Sequence, residues 1–140
     1  MRSKQDLLDR MGALKACLPA FDWVHTQEGS AEEILLRLDR VDWLCWLLGR
    51  VDPESAALFA EGCADRAKGY DGHYAARYAA DARAAARYAA DARYTSRAVA
   101  AANAADYARA AAAVTTAAGE REELKTQLAE LHELAKKVCA

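Results

Sequence analysis

Alanine fills more than half of the positions from His73 to Ala118, and inside that stretch the nine residues AARYAADAR (75–83) return, after Ala84, as residues 85–93. No side chain loses less freedom in a helix than alanine, so a segment of this composition is helical almost whatever surrounds it. The rest of the chain shows no sustained apolar/polar alternation and few β-branched runs, which leaves little room for a sheet. The expected class is all-α.

The repeat does not offer a ladder of identical side chains. A ten-residue shift turns a helix by about −80°, so Tyr78 and Tyr88 face different sides, as do Arg77 and Arg87. On one continuous helix Tyr74, Tyr78, Tyr88, Val99, Tyr107 and Val114 share an arc of about 100°, which predicts a Tyr/Ala seam buried against a neighbour. Arg77 with Asp81 and Arg87 with Asp91 have the four-residue spacing of exposed ion pairs. The favoured reading is one long, bent helix over 73–118 closed by Gly119, with a two-helix hairpin broken near 94–97 or at Asn103 as the alternative.

Local signals place the other helices. Ser3 with Asp6 opens one over 4–16, and Pro19 starts a short one through AFDWV. Ser30 with Glu33 forms a capping box ahead of ILLRLDRVDWLCWLLGR, read as a single helix with Gly49 at its C-terminal cap. Ile34, Leu38, Val41, Cys45 and Leu48 form its buried stripe, and WLCWLL is apolar all round, which puts Trp43 and Trp46, with Phe21 and Trp23, at the centre of the core. Asp52 before Pro53 opens the next helix, with a break at 69–72. Leu124, Leu128, Leu131, Ala135 and Val138 give the C-terminal segment an apolar seam. The expected organisation is one domain: a Trp-centred helical cluster over 1–68, the Ala-rich helix over 70–118, and a C-terminal helix over 120–139 packed back on it as a hairpin.

Charge and composition narrow the function classes. With 19 Lys and Arg against 21 Asp and Glu, the net charge of −2 gives no field to draw in nucleic acid or an anionic membrane. Arginine and tyrosine interleave over 77–97 as on single-strand-binding surfaces, but Asp81, Asp91 and Asp106 dilute that charge. Asp6 and Asp9 interrupt the apolar run that a secretion signal needs, and no uninterrupted apolar stretch approaches about 18 residues. Cys17, Cys45, Cys63 and Cys139 have no metal-ligand spacing, so reduced, mostly buried thiols in a cytoplasmic protein are expected. His25, His73 and His132 have no catalytic partners in the sequence, and Asp22 and Asp42 read as a cap and a polar flank rather than an acid/base pair. The expectation is a protein without enzymatic activity, metal or cofactor.

What remains is binding. Arg83, Arg87, Arg93, Tyr94 and Arg97 of the Ala-rich helix, with Trp46 at the exposed end of its helix, are the candidate protein interface, because Arg, Tyr and Trp concentrate binding energy. The competing expectation is a structural protein whose rod and Leu seam pair with copies of themselves, a homodimer being the simplest case. DWLCWLLGR (42–50), preceded by ACLPAFDWV (16–24) and followed by CADRA (63–67), an Ala/Tyr/Arg tract and ERE…Q (120–127), resembles a group of small phage and prophage proteins labelled as immunity proteins. The resemblance implies an accessory protein of a mobile element that acts in the host cytoplasm by binding a bacterial protein. The target would be a toxin or, as for anti-CRISPR proteins, a defence complex.

Overall fold

The computed structural model describes every residue except 94 and 95. Among the described residues there are eight helices and no strand: α1 (Lys4–Ala13), α2 (Leu18–Thr26), α3 (Ala31–Arg37), α4 (Val41–Val51), α5 (Pro53–Ala67), α6 (His73–Ala90), α7 (Arg97–Ala113) and α8 (Ala117–Cys139). Helices α5, α6 and α7 pack on one another, α4 lies against α7, and α8 folds back across α7, α4 and α3, as the expected return of the C-terminal helix requires. Among the described residues no helix is long and apolar enough to cross a membrane.

Two expected single helices are each divided. The first breaks at Leu38, whose extended backbone (φ −76°, ψ 122°) ends α3. The carbonyl freed there lies 2.9 Å from His132 Nε2 on α8, so a distant side chain satisfies the broken turn. The Ala-rich segment is two helices, α6 ending at Ala90 and α7 beginning at Arg97, and of the alternative break near 94–97 residues 94 and 95 lie outside the described residues. Asp91 ends α6, its carboxylate accepting from the Arg93 backbone N–H at 2.9 Å, and Arg97 Nε donates to the Ala89 carbonyl at 2.8 Å. Two glycines also change role. Gly49 lies inside α4, which runs on to Val51, and Gly119 lies in the first turn of α8, donating its N–H to Thr116 Oγ1 at 2.8 Å.

The expected Tyr/Ala seam is inverted. Ala82, Ala85 and Ala89 of α6 and Ala101, Ala104, Ala105 and Ala108 of α7 are buried, whereas Tyr74, Tyr88, Val99, Tyr107 and Val114 are exposed and Tyr78 is half-buried. Small residues let helix axes approach closely, and a contact tight enough for facing alanines has no room for a ring.

Leu7, Ile34, Leu35, Leu44, Leu48 and Leu131 make the centre of the core. The tryptophans and Phe21 are only half-buried at its edge. Leu44, Cys45, Leu47 and Leu48 take the inward positions of α4 and leave Trp43 and Trp46 on its flanks, where the guanidiniums of Arg40 and Arg50 each sit 4.5 Å from an indole ring. The buried face of α8 is Glu123, Gln127, Leu131, Ala135 and Cys139, with Leu124, Leu128 and Val138 half-buried beside it.

Carboxylates hold several helix starts. Ser3 with Asp6 and Ser30 with Glu33 form complete capping boxes, and Asp52 caps α5 through the Ser55 N–H (3.2 Å) and hydroxyl (2.6 Å). The backbone N–H groups of Ser3 and Ser30 hold the Asp6 and Glu33 carboxyls below their ordinary range, and the Ser55 hydroxyl does the same for Asp52. Groups depressed in the folded state contribute stability that is fully present above the unfolded values and is lost as pH falls through the folded ones. Urea midpoints should therefore hold from neutrality to mild acid and decline below about pH 4. Asp52→Asn, which cannot ionise, should lower the midpoint at neutral pH and flatten the decline in acid.

Candidate functional site

All three tryptophans of the chain line one cleft of about 380 Å³ between α2, α4 and α7. Trp23 and Val24 come from α2, Trp43, Trp46 and Leu47 from α4, and Val99 and Ala102 from α7, over a floor that includes Met11 and Leu35. The indoles come from α2 and α4, and α7 contributes the smaller side chains Ala98, Val99 and Ala102 along with Asn103 and Asp106.

Helix α2 packs on the core through the buried Val24 and is tied down at its ends. Lys15, in left-handed backbone (φ 59°), turns the chain out of α1. Lys4 Nζ donates to the carbonyls of His25 (2.8 Å) and Gln27 (2.7 Å), satisfying the C-terminal end of α2. The charged side chains of the lining are both acids, Asp42 and Asp106, and Asn103 stands between them in sequence. Arg40 donates to Asp42 through Nε (3.0 Å) and Nη2 (2.7 Å), and these bonds hold the Asp42 carboxyl below its ordinary range, ionised at neutral pH. Arg109 pairs with Asp106.

The residues expected at the interface divide. Trp46 lines the tryptophan cleft. Arg83, Arg87 and Arg97 meet in a separate groove with Glu54, Leu58 and Glu61. Two of these arginines have structural work there: Arg83 is half-buried and ion-paired with Asp65, and Arg97 bonds the end of α6. Arg87 is exposed, and Asp91, its expected partner, pairs with Arg93 instead. Arg93 is 92% exposed on the connector between α6 and α7. Tyr94 lies outside the described residues. The arginines thus do not form one free recognition face.

His132 contacts the Leu38 carbonyl, and His25 and His73 are exposed. All four cysteines are free thiols. Burial pushes Cys45 up to about 12 and also raises Cys63 and Cys139, while Cys17 is exposed on the wall of the cleft. Among the described residues no three His, Cys, Asp or Glu side chains come together as a metal site.

Sequence reasoning missed a buried polar seam on α8. Arg66 Nε donates to both oxygens of Glu123 (2.9 and 3.1 Å), and the Tyr70 hydroxyl lies 3.5 Å from the same carboxylate. Glu130 Oε1 stands 2.5 Å from Arg66 Nη1 as an ion pair, and burial raises its pKa. Gln127 accepts from Arg109 Nη1 at 2.6 Å and donates to the Ala105 carbonyl at 3.0 Å. The available signal was the step of four that joins Glu123, Gln127, Leu131, Ala135 and Cys139.

Two separate stretches of the sequence converge here. Cys17, Ala20, Trp23 and Val24 come from residues 16–24, and Asp42, Trp43, Trp46 and Leu47 from residues 42–50, and all line the cleft. No protein-family model matches the chain, and no curated protein and no solved structure matches it.

Proposed function

We propose that this chain is a non-enzymatic accessory protein of a phage or prophage that binds and blocks a bacterial protein, a toxin or part of a defence complex, through the tryptophan cleft. The observation behind this reading is the placement of all three tryptophans, half-buried, around one apolar cleft built from residues 16–24 and 42–50. Half-buried indoles on helices are stiff, offer large apolar area and lose little entropy on contact, which makes them strong anchors for a partner. Pockets of about 300–1,000 Å³ hold compact apolar groups well, and this one lies within that range.

The test compares two surfaces of one protein. Val99→Glu sets a charge into the cleft from an exposed position on α7, and Arg87→Glu with Arg93→Glu alters the arginine surface. The readouts are protection of a host against a toxin or defence system that the wild-type protein counteracts, and affinity for that purified target. Val99→Glu should weaken both by at least about tenfold, or 1.4 kcal/mol, with folding intact by circular dichroism, and the arginine pair should change them by less than about threefold. The opposite ranking would move the interface to the arginines, and direct binding of DNA or RNA by the wild type would replace the reading.

A further inference from the structure

We infer that the groove between α5 and α6 pairs with the same groove of a second copy of this chain, about a two-fold axis that runs along the groove. The groove shares no lining residue with the tryptophan cleft, so the inference stands apart from the reading of that site.

Each wall of the groove is one helical stripe. Glu54, Ala57, Leu58 and Glu61 step by three, one and three along α5. Arg83, Ala86, Arg87 and Ala90 take the same steps along α6, across a hollow of about 420 Å³. One wall is therefore acidic and the other basic. The ion pair of Arg83 with Asp65 sets their register. Helices α5 and α6 pack antiparallel across a short turn, so Glu61, four residues before Asp65, is about level with Arg87, four residues after Arg83. Leu58 is level with Ala90 by the same count.

Unlike the acids of the cleft, the level pair is unanswered. Among the described residues the side chains of Glu61 and Arg87 have no hydrogen-bond or ion-pair partner, and they do not reach each other across the groove. Leu58 stands between the two glutamates with 69% of its surface exposed, in the middle of a regular helix.

This pattern selects its own copy. A face that carries one stripe of each sign is complementary to itself, as a two-fold interface requires. An axis across the groove would set acid on acid, whereas an axis along it lays α5 of each copy over α6 of the other with heights unchanged. Level residues then meet. Glu61 of each copy comes onto Arg87 of the other, and each Leu58 projects at Ala86 and Ala90 of the other, where small side chains leave room. A segment of one sign would leave one wall opposed to its own charge. A contact confined to this face is of modest size, so the pair is reversible.

Sedimentation equilibrium of the full-length protein over a wide range of concentration should show a reversible monomer–dimer equilibrium. Glu61→Arg and Arg87→Glu each set like charges together at both contacts, and each should weaken the dimer at least about tenfold with circular dichroism unchanged. Mixed in equal amounts, the two variants should form a heterodimer within about threefold of the wild-type affinity, because in that combination both contacts again join opposite charges. Leu58→Ala, at an exposed position, should weaken the dimer as much as either charge change. The three indole N–H signals of the ¹⁵N spectrum, all from the cleft, should stay in place as the dimer forms. A wild type that stays monomeric, or a dimer that neither charge change weakens, would overturn the pairing. A mixture no stronger than its components would overturn the axis, and indole signals that move with concentration would place the contact at the cleft. A monomeric wild type whose Leu58→Ala variant loses affinity for the purified target would give the groove to that target instead.

Discussion

Arg66→Leu should destabilise the protein by about 3–5 kcal/mol, the cost of leaving a buried carboxylate without its cation. The Glu123 side chain is wholly buried, and Arg66 supplies its two charge-assisted hydrogen bonds. The same guanidinium reaches Glu130, two turns further along α8, so its loss leaves two acids on one side of the helix without their shared cation. Arg66→Leu with Glu123→Leu should recover most of the loss, because an apolar pair needs no desolvated charge. Urea denaturation of the two singles and the double closes the cycle. A cost for Arg66→Leu no larger than the ~1 kcal/mol of an exposed pair would show that Glu123 has another partner.

Three helix starts were legible because each is written within a few residues. Ser3 with Asp6 and Ser30 with Glu33 form the capping boxes their spacing predicts, and Asp52 before Pro53 caps α5. The break after Arg37 was not legible, since the group that answers the Leu38 carbonyl is His132, on another helix. The step of four on α8 was not enough by itself to reveal its polar seam, because Glu123 and Gln127 are tolerable inside only where Arg66 and Arg109 arrive from α5 and α7.

The seam of tyrosines failed for a geometric reason. Its arc assumed one phase from residue 73 to 118, whereas α6 ends at Ala90 and α7 begins anew at Arg97, each with its own phase. Hydropathy then favoured rings inside, whereas close approach of axes favoured alanine. The tryptophans were grouped correctly and placed too deep: leucines fill the core and leave the indoles to form a wall. The arginines looked equivalent in sequence, and only the structure shows that Arg83 and Arg97 are engaged in holding helices together.

Gly49→Ala should lower stability by about 1–3 kcal/mol, although alanine is the better helix former by about 1 kcal/mol. Gly49 is buried in the last turns of α4, where a Cβ would lie 2.7 Å from Ala98 Cβ and 2.9 Å from Ala98 Cα. Neither atom belongs to a flexible side chain, so relief requires α4 and α7 to separate. Those helices carry facing walls of the cleft, Trp46 and Leu47 on one and Ala98, Val99 and Ala102 on the other. The methyl group should therefore disturb the indole N–H signals along with the melting temperature, two readouts that an isolated packing defect away from the cleft would not join. Ala98→Gly removes one of the two close atoms and should restore part of both in the Gly49→Ala background. A Gly49→Ala protein that melts higher than the wild type, as helix propensity alone would have it, would show that the two axes are not held at this distance by the glycine.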